Sequence, residues 1–249
     1  MKLLNIPNGI TCLNLLSGCA AIYCTFKAVL CGNPLLTTSL HAIDWACIFI
    51  ICGAVFDFFD GMTARLLKVS SPIGKELDSL ADVVTFGIAP SMLCYYLMKI
   101  SGFSGVSEAS GHWLCFTAFI MAAFSALRLA KFNVDERQTT SFIGLPTPAN
   151  ALFWIGMVYT GRVAFMQWAM NGWVMLALMA AASWILISEI PMFSLKIKFD
   201  HLGWRDNALR YSFVVACIVI FALFHLAGAA IAMLLYVLLS ILSDARKTR

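Results

Sequence analysis

Charge is scarce in this chain. Asp, Glu, Lys and Arg make up 12% of its 249 residues, about half of the ~25% usual in a soluble domain. That excludes a water-soluble globular fold, and the 61% hydrophobic content and mean hydropathy of +0.86 agree. No basic stripe of the kind that tracks a phosphate backbone is present, so no nucleic-acid partner is expected. Nine cysteines occur, but no Cys-x-x-Cys pair and no Cys/His spacing suited to zinc. They sit in apolar stretches and read as small packing residues. His201 and His225 have no ligand partner at helical spacing. There is no fixed-period repeat and no long Pro/Gly/Ser-rich linker. The apolar run after Lys2 is long for a signal peptide and lacks a small-residue cleavage site, so it is expected to be retained.

What the chain has instead is hydrocarbon. Hydrophobic runs fall at 10–31, 43–65, 79–100, 112–131, 149–167, 172–190, 209–225 and 228–243, and a membrane-crossing helix needs about 20 such residues. The last two runs are close enough to be one bent helix or a tight hairpin. The expected fold class is all-α: a polytopic membrane helical bundle with six core transmembrane helices and about two extra C-terminal spans. With the N-terminus cytoplasmic, fourteen Lys and Arg fall on inner segments and three (Lys27, Lys99, Arg162) near outer ones. The positive-inside rule therefore places both termini in the cytoplasm.

Against this background, residues 57–82 hold four aspartates, spelled Asp57-x-x-Asp60-Gly61-x-x-Ala64-Arg65, eight residues, then Gly74-x-x-x-Asp78-x-x-x-Asp82. Ionisable groups in or beside membrane spans are costly and read by default as functional. Asp57 and Asp60 are three apart, and Asp78 and Asp82 are four apart. Each pair thus shares a helix face, separated by about 4.5 and 6 Å along the axis. Ser70-Ser71-Pro72-Ile73-Gly74 between them is a turn, so two helices can aim both pairs at one point. Converging like charges repel strongly in a low dielectric unless cations neutralise them. Hard oxygen ligands favour Mg²⁺ or Mn²⁺ over zinc. Gly61, Ala64 and Gly74 let a ligand approach the backbone, and the Arg65 fork suits a pyrophosphate. Lys68 and Lys75 are expected to snorkel to the interface.

This pattern resembles the signature of the CDP-alcohol phosphotransferase family and fits every fixed position of it. Ile6-Pro7-Asn8-Gly9-Ile10-Thr11-Cys12-Leu13-Asn14, Phe86-Gly87-Ile88-Ala89-Pro90, Leu127-Arg128-Leu129-Ala130-Lys131-Phe132-Asn133 and Gly144-Leu145-Pro146-Thr147-Pro148 further resemble the family's integral-membrane phosphatidylserine synthases. The resemblance covers about residues 5 to 190. It implies a membrane domain over 1–190; the interfacial connector and C-terminal hairpin expected over 191–249 lie beyond the resemblance. It implies CDP-diacylglycerol as donor, L-serine as acceptor, and phosphatidylserine and CMP as products. The metal-binding carboxylates map onto Asp57, Asp60, Asp78 and Asp82, with Asp82 also the general base. The CDP-binding positions map onto Gly61, Ala64, Arg65 and Gly74.

Asn8 and Thr11, at the start of the first span, are candidates to line the nucleotide site; helix capping and an intrahelical hydroxyl bond compete for them. Arg128, Lys131 and Asn133 are candidates for the acceptor's carboxylate, against interfacial anchoring. Lys131 stands where the family pattern leads one to expect arginine, which removes a bidentate contact there. A homodimer in a bacterial inner membrane, with a cytoplasmic active site, completes the implied picture. Two other readings remain open at this point: the same donor with glycerol 3-phosphate, a polyol or an inositol phosphate, and a cation transporter. The transporter is disfavoured by the absence of an inverted repeat.

Overall fold

The computed structural model describes residues 5–31, 41–69, 71–135, 143–161, 163, 170–192 and 204–247, with backbone alone for 204–209 and 244–247. Lys2, Arg137, Arg162, Lys196, Lys198, His201 and Arg249, used in the sequence reading, lie outside these. Among the described residues the chain is helical and has no strand. A single bridge, Ile143 to Pro191, is the exception to helix and turn.

The first helix, α1 (Ile6–Cys31), buries Asn8, Thr11, Asn14, Gly18, Ala21, Thr25 and Ala28. These recur every three or four residues, so they form one stripe of small and polar side chains. The stripe packs along α2 (Ala42–Leu66), while Leu13, Leu16, Tyr23, Phe26 and Leu30 are exposed on the other faces, as lipid contact requires. The first turn of α2 is closed by a capping box, with the His41 backbone N–H donating to Asp44 Oδ2 at 2.9 Å. Asp44 is buried and has this local structural task at the end of α2 opposite Arg65.

The chain then reverses. Ser71 caps α3 (Pro72–Asp82), its Oγ accepting from the Gly74 N–H at 3.0 Å, and Pro72 fills the first helical turn, where no intrahelical donor is needed. The expected turn is present, although Ser70 itself is outside the described residues. The helix starts seven residues before the hydrophobic run at 79 because this cap and proline initiate it. It continues through a π-helical turn (Val83–Ile88) into α4 (Ala89–Ser101), forming one rod of 30 residues. In the rod's most apolar window 67% of residues are buried, against 33% for α1 and for α2. This rod is the centre of the bundle.

Around it stand α5 (Glu108–Phe116), a 3₁₀ turn and α6 (Ile120–Val134), which together make another long rod. Next come α7 (Thr147–Thr160), α8 (Gly172–Ile187), α9 (Trp204–Phe224) and α10 (Gly228–Lys247). Among the described residues, five helical stretches are long and apolar enough to cross a membrane: Ile6–Cys31, Ala42–Leu66, Pro72–Ser101, Glu108–Val134 and Arg210–Ser243. The chain is thus an all-α polytopic membrane protein. The run at 149–167 yields a described helix only as far as Thr160, and α8 has 16 residues; these helices are about 21 and 24 Å long, short of a ~30 Å hydrocarbon core. The last stretch folds back on itself. His225, at φ 49, opens a 3₁₀ turn, and Phe213 and Tyr236 meet across it with ring centroids 5.9 Å apart. Residues that far on either side of the turn can touch only in a hairpin, so the alternative of a single bent helix is excluded.

Candidate active site

The α2–α3 hairpin brings three of the four aspartates together. One carboxylate oxygen from each of Asp57, Asp60 and Asp78 lies within 4.8 Å of the others. Asp60 is buried at 5% exposure, and Asp60 Oδ2 and Asp78 Oδ1 are buried without a hydrogen-bond partner. Buried polar atoms in native structures are nearly always paired, and clustered carboxylates in low dielectric repel. Three hard oxygen donors facing one point with unfilled lone pairs fit a divalent cation. The structure thus has a possible acidic metal site at Asp57, Asp60 and Asp78.

Asp82, the fourth aspartate, is outside that 4.8 Å group. Its Oδ1 accepts from Asn14 Nδ2 of α1 at 3.1 Å. Asn14 is fully buried and was not singled out as a site residue by the sequence reading. The available signal was its place in the α1 stripe, one turn beyond Asn8 and Thr11. Its own backbone carbonyl accepts from the Thr85 hydroxyl at 3.0 Å. Thr85 sits in the π-helical turn immediately after Asp82, held between α1 and α2 where Gly18 and Gly53 leave room. A Cβ on Gly18 would lie 2.5 Å from Thr85 Oγ1, and one on Gly53 would overlap Thr85 Cγ2. Asp82 is thus fixed from two sides: by a direct bond from Asn14, and by a threonine that keys its helix to the same asparagine.

Next to the carboxylates is a cavity of ≈ 440 Å³ between the beginnings of α1 and α3 and the end of α2. Asp60 and Asp78 form its acidic end. Asn8, Thr11, Gly61, Ala64, Arg65 and Gly74, all six of the expected nucleotide-site positions, line it. Thr11 also makes the competing intrahelical bond, its hydroxyl donating to Pro7 O at 3.1 Å. At Gly74 a Cβ would come within 3.1 Å of both Asn8 Oδ1 and Ser71 Oγ, so a side chain there would crowd the cavity wall. Gly61 has only Arg65 Nη2 nearby, at 3.8 Å, so its missing side chain leaves open space in the cavity. Lys68 and Lys75 line the cavity too, and they add positive charge to the Arg65 side.

The three acceptor candidates diverge. Arg128 is buried at 6% exposure, has an unpartnered Nε and lies within electrostatic reach of Asp82; its guanidinium carbon sits 5.2 Å from the Phe132 ring centroid. Lys131 points elsewhere, pairing with Glu189 at 3.2 Å on an exposed surface. Asn133 ties the end of α6 to α3: its Nδ2 donates to Ser79 Oγ at 2.7 Å, and its carbonyl accepts from Lys75 Nζ at 3.1 Å. Neither Lys131 nor Asn133 lines the cavity.

Comparison with known proteins bears on this geometry. The chain is 41% identical over 126 residues to the CDP-diacylglycerol–serine O-phosphatidyltransferase of Bacillus subtilis, covering 50% of this chain and 66% of the relative. It is 34% identical over 171 residues to the protein of that name from Saccharomyces cerevisiae, covering 65% and 56%. A third, from Mycobacterium tuberculosis, is 29% identical over 194 residues, covering 75% and 60%. The chain therefore spans between about half and two thirds of the length of these relatives. The family model for CDP-alcohol phosphatidyltransferases matches residues 4–185, which contain the carboxylate hairpin, the cavity and Arg128. On that match, this chain belongs to the CDP-alcohol phosphatidyltransferase family.

Proposed function

We propose that this protein transfers the phosphatidyl group of CDP-diacylglycerol to the hydroxyl of L-serine, giving phosphatidylserine and CMP. The observation that carries the proposal is one continuous surface: three converging carboxylates at the end of a cavity lined by small residues and by Arg65, Lys68 and Lys75. Such a surface suits a nucleotide diphosphate. The choice of serine is supported by the names of the relatives. A cation pathway is a poorer account, since the acids gather at one end of a hairpin next to a basic cavity and the family is one of phosphatidyltransferases.

In this reading the cytidine diphosphate occupies the cavity while the diacylglycerol stays in the bilayer. Arg65 pairs with the diphosphate, and Gly61 and Gly74 keep side chains from intruding on it. Asp57, Asp60 and Asp78 would hold Mg²⁺ or Mn²⁺, which would neutralise diphosphate charge and the charge that develops on the departing CMP. Asp82, held by Asn14, takes the proton of the serine hydroxyl. The serine oxygen forms a bond to the β-phosphorus as the bond from that phosphorus to CMP breaks, in line and without a phosphatidyl-enzyme intermediate. Cytoplasmic orientation in a bacterial inner membrane, where serine and CTP-derived donors meet, and a homodimeric state are part of the same proposal. So is the division into a membrane domain, 1–190, and a C-terminal connector and hairpin, 191–249.

The test is CMP release by the purified protein with CDP-diacylglycerol and Mg²⁺ or Mn²⁺, offered labelled serine, glycerol 3-phosphate or inositol in parallel. Labelled phosphatidylserine is the expected product. Release of CMP with glycerol 3-phosphate alone would reassign the acceptor, and a trapped phosphatidyl-enzyme would overturn direct displacement.

A further inference from the structure

Three side chains on one face of α7 are buried without hydrogen-bond partners: Thr147 through Oγ1, Asn150 through both Oδ1 and Nδ2, and Trp154 through Nε1. All three are 0% exposed. Their spacing, three and then four residues, puts them in one row. The flank of α7 that bears Gly156 packs against Ala230 of α10; α7 also packs on α4, on the 3₁₀ turn before α10, on the π-helical turn after Asp82, and more lightly on α2, α6 and α8. An amide with every donor and acceptor unmade is a heavier liability than an apolar side chain of the same shape. Such a side chain is accounted for if something polar enters beside it.

Position along the bundle says what is nearby. Leu145 N–H donates to Ile185 O at 3.2 Å, and Gly144 N–H donates to Ile190 O at 2.9 Å. With Lys131 bonded to Glu189, these bonds put the end of α6, the start of α7 and the end of α8 at one level. From that level Arg128 lies about one turn into the bundle and Asn150 between one and two turns. Helical side chains tilt toward the N-terminus of their own helix. Because α6 and α7 run in opposite directions, Arg128 tilts inward while Thr147 and Asn150 tilt back outward, which brings the two sets to a similar depth. Asp82 immediately precedes the π-helical turn on which both α6 and α7 pack, and it is within electrostatic reach of Arg128.

We propose that Thr147 and Asn150 form, with Arg128, the polar wall of the acceptor subsite. Asn150 is then the residue that selects a small zwitterionic hydroxy-amino acid. Arg128 takes the carboxylate, the Asn150 carbonyl accepts from the ammonium group, and Trp154 closes the pocket one turn deeper. The assignment rests on the reaction proposed above and adds to it the α7 face as a determinant of specificity. A site built to hydrogen-bond a polar group rejects analogues that lack it far better than an apolar pocket rejects an extra methylene.

The test uses the full chain with CDP-diacylglycerol and Mn²⁺, comparing wild type with Asn150→Ala, Asn150→Leu and Thr147→Val. The expected result for Asn150→Ala and Asn150→Leu is a serine KM raised roughly ten- to hundred-fold, with the donor KM within twofold of wild type. Thr147→Val keeps the side-chain shape and should raise the serine KM several-fold; it carries the test if an Asn150 variant does not fold. A serine KM within twofold of wild type in the folded variants overturns the subsite. That result, with the thermal midpoint of Asn150→Leu at or above that of wild type, would make Asn150 a buried liability and nothing more. If wild type releases no CMP with serine, the proposed reaction itself fails, which is a separate and recognisable outcome.

Discussion

At the α2–α3 hairpin, Asp57, Asp60 and Asp78 converge to within 4.8 Å. At the end of α6, three polar residues even closer in sequence separate: Arg128 is buried beside the Phe132 ring, Lys131 reaches Glu189 and Asn133 reaches Ser79. Both groups lie on helices near the same end of the bundle. The difference is angular. Residues three or four apart share a face, whereas Asn133 is five beyond Arg128 and therefore about 140° around the helix. Lys131, nearer in angle, has a long flexible stem that reaches the exposed Glu189. A cluster of charged residues in sequence becomes a site only where helical phase aligns the side chains and a second helix faces them.

If the carboxylates act together while Lys131 stands apart from the site, substitutions should separate the aspartates from Lys131 by orders of magnitude. Asp78→Asn removes one of the three convergent donors, and CMP release should fall by about 10³-fold or more, with a matching loss of Mn²⁺ affinity. Asp82→Asn should cost at least about 10²-fold in CMP release while CDP-diacylglycerol binding persists; unchanged turnover would remove it as the base. At the keyed threonine, Gly53→Ala should destabilise by about 1–3 kcal/mol, read as a lower thermal midpoint. Much of that loss should vanish in a Thr85→Ala background, because the clash is with the threonine side chain. The smallest effect belongs to α6: Lys131→Ala should leave the serine KM within about twofold, since exposed ion pairs contribute only ~0–1 kcal/mol. A large KM increase there would erase the contrast between the two regions.

Much of the fold and the donor half of the site can be read along the chain. Hydrophobic runs identify the helices, Ser71-Pro72 announces the start of α3, and the aspartate intervals place both pairs on faces that can meet. The cavity beside the carboxylates gathers Asn8, Thr11, Gly61, Ala64, Arg65 and Gly74 because these residues all come from the ends of three consecutive helices. What is not legible depends on contacts between distant segments. Asn14 bonds to Asp82 across 68 residues of sequence, and its own neighbours are apolar. The π-helical turn has no local residue code; it is the place where Thr85 seats between Gly18 and Gly53. The 149–167 run is apolar throughout, so its composition does not mark the end of α7 at Thr160. At the C-terminus the sequence leaves a hairpin and a bent helix both open; the reversal at His225 and the Phe213–Tyr236 contact decide for the hairpin.

Asp78, Asp82 and Thr85 ride on one unbroken rod from Pro72 to Ser101. A helix advances ~1.5 Å and turns ~100° per residue, so the rod is metered like a screw thread. Thr85 seats the thread between two glycines, and the aspartates take their bearing from it. One residue inserted between Asp82 and Thr85 would leave the threonine seated and swing both acids more than a quarter turn away from Asp57 and Asp60. Substitutions on the lipid-facing side of this rod are therefore far easier to absorb than any change in its length. The steric fit of a single threonine thus sets the residue count that keeps the acid cluster together.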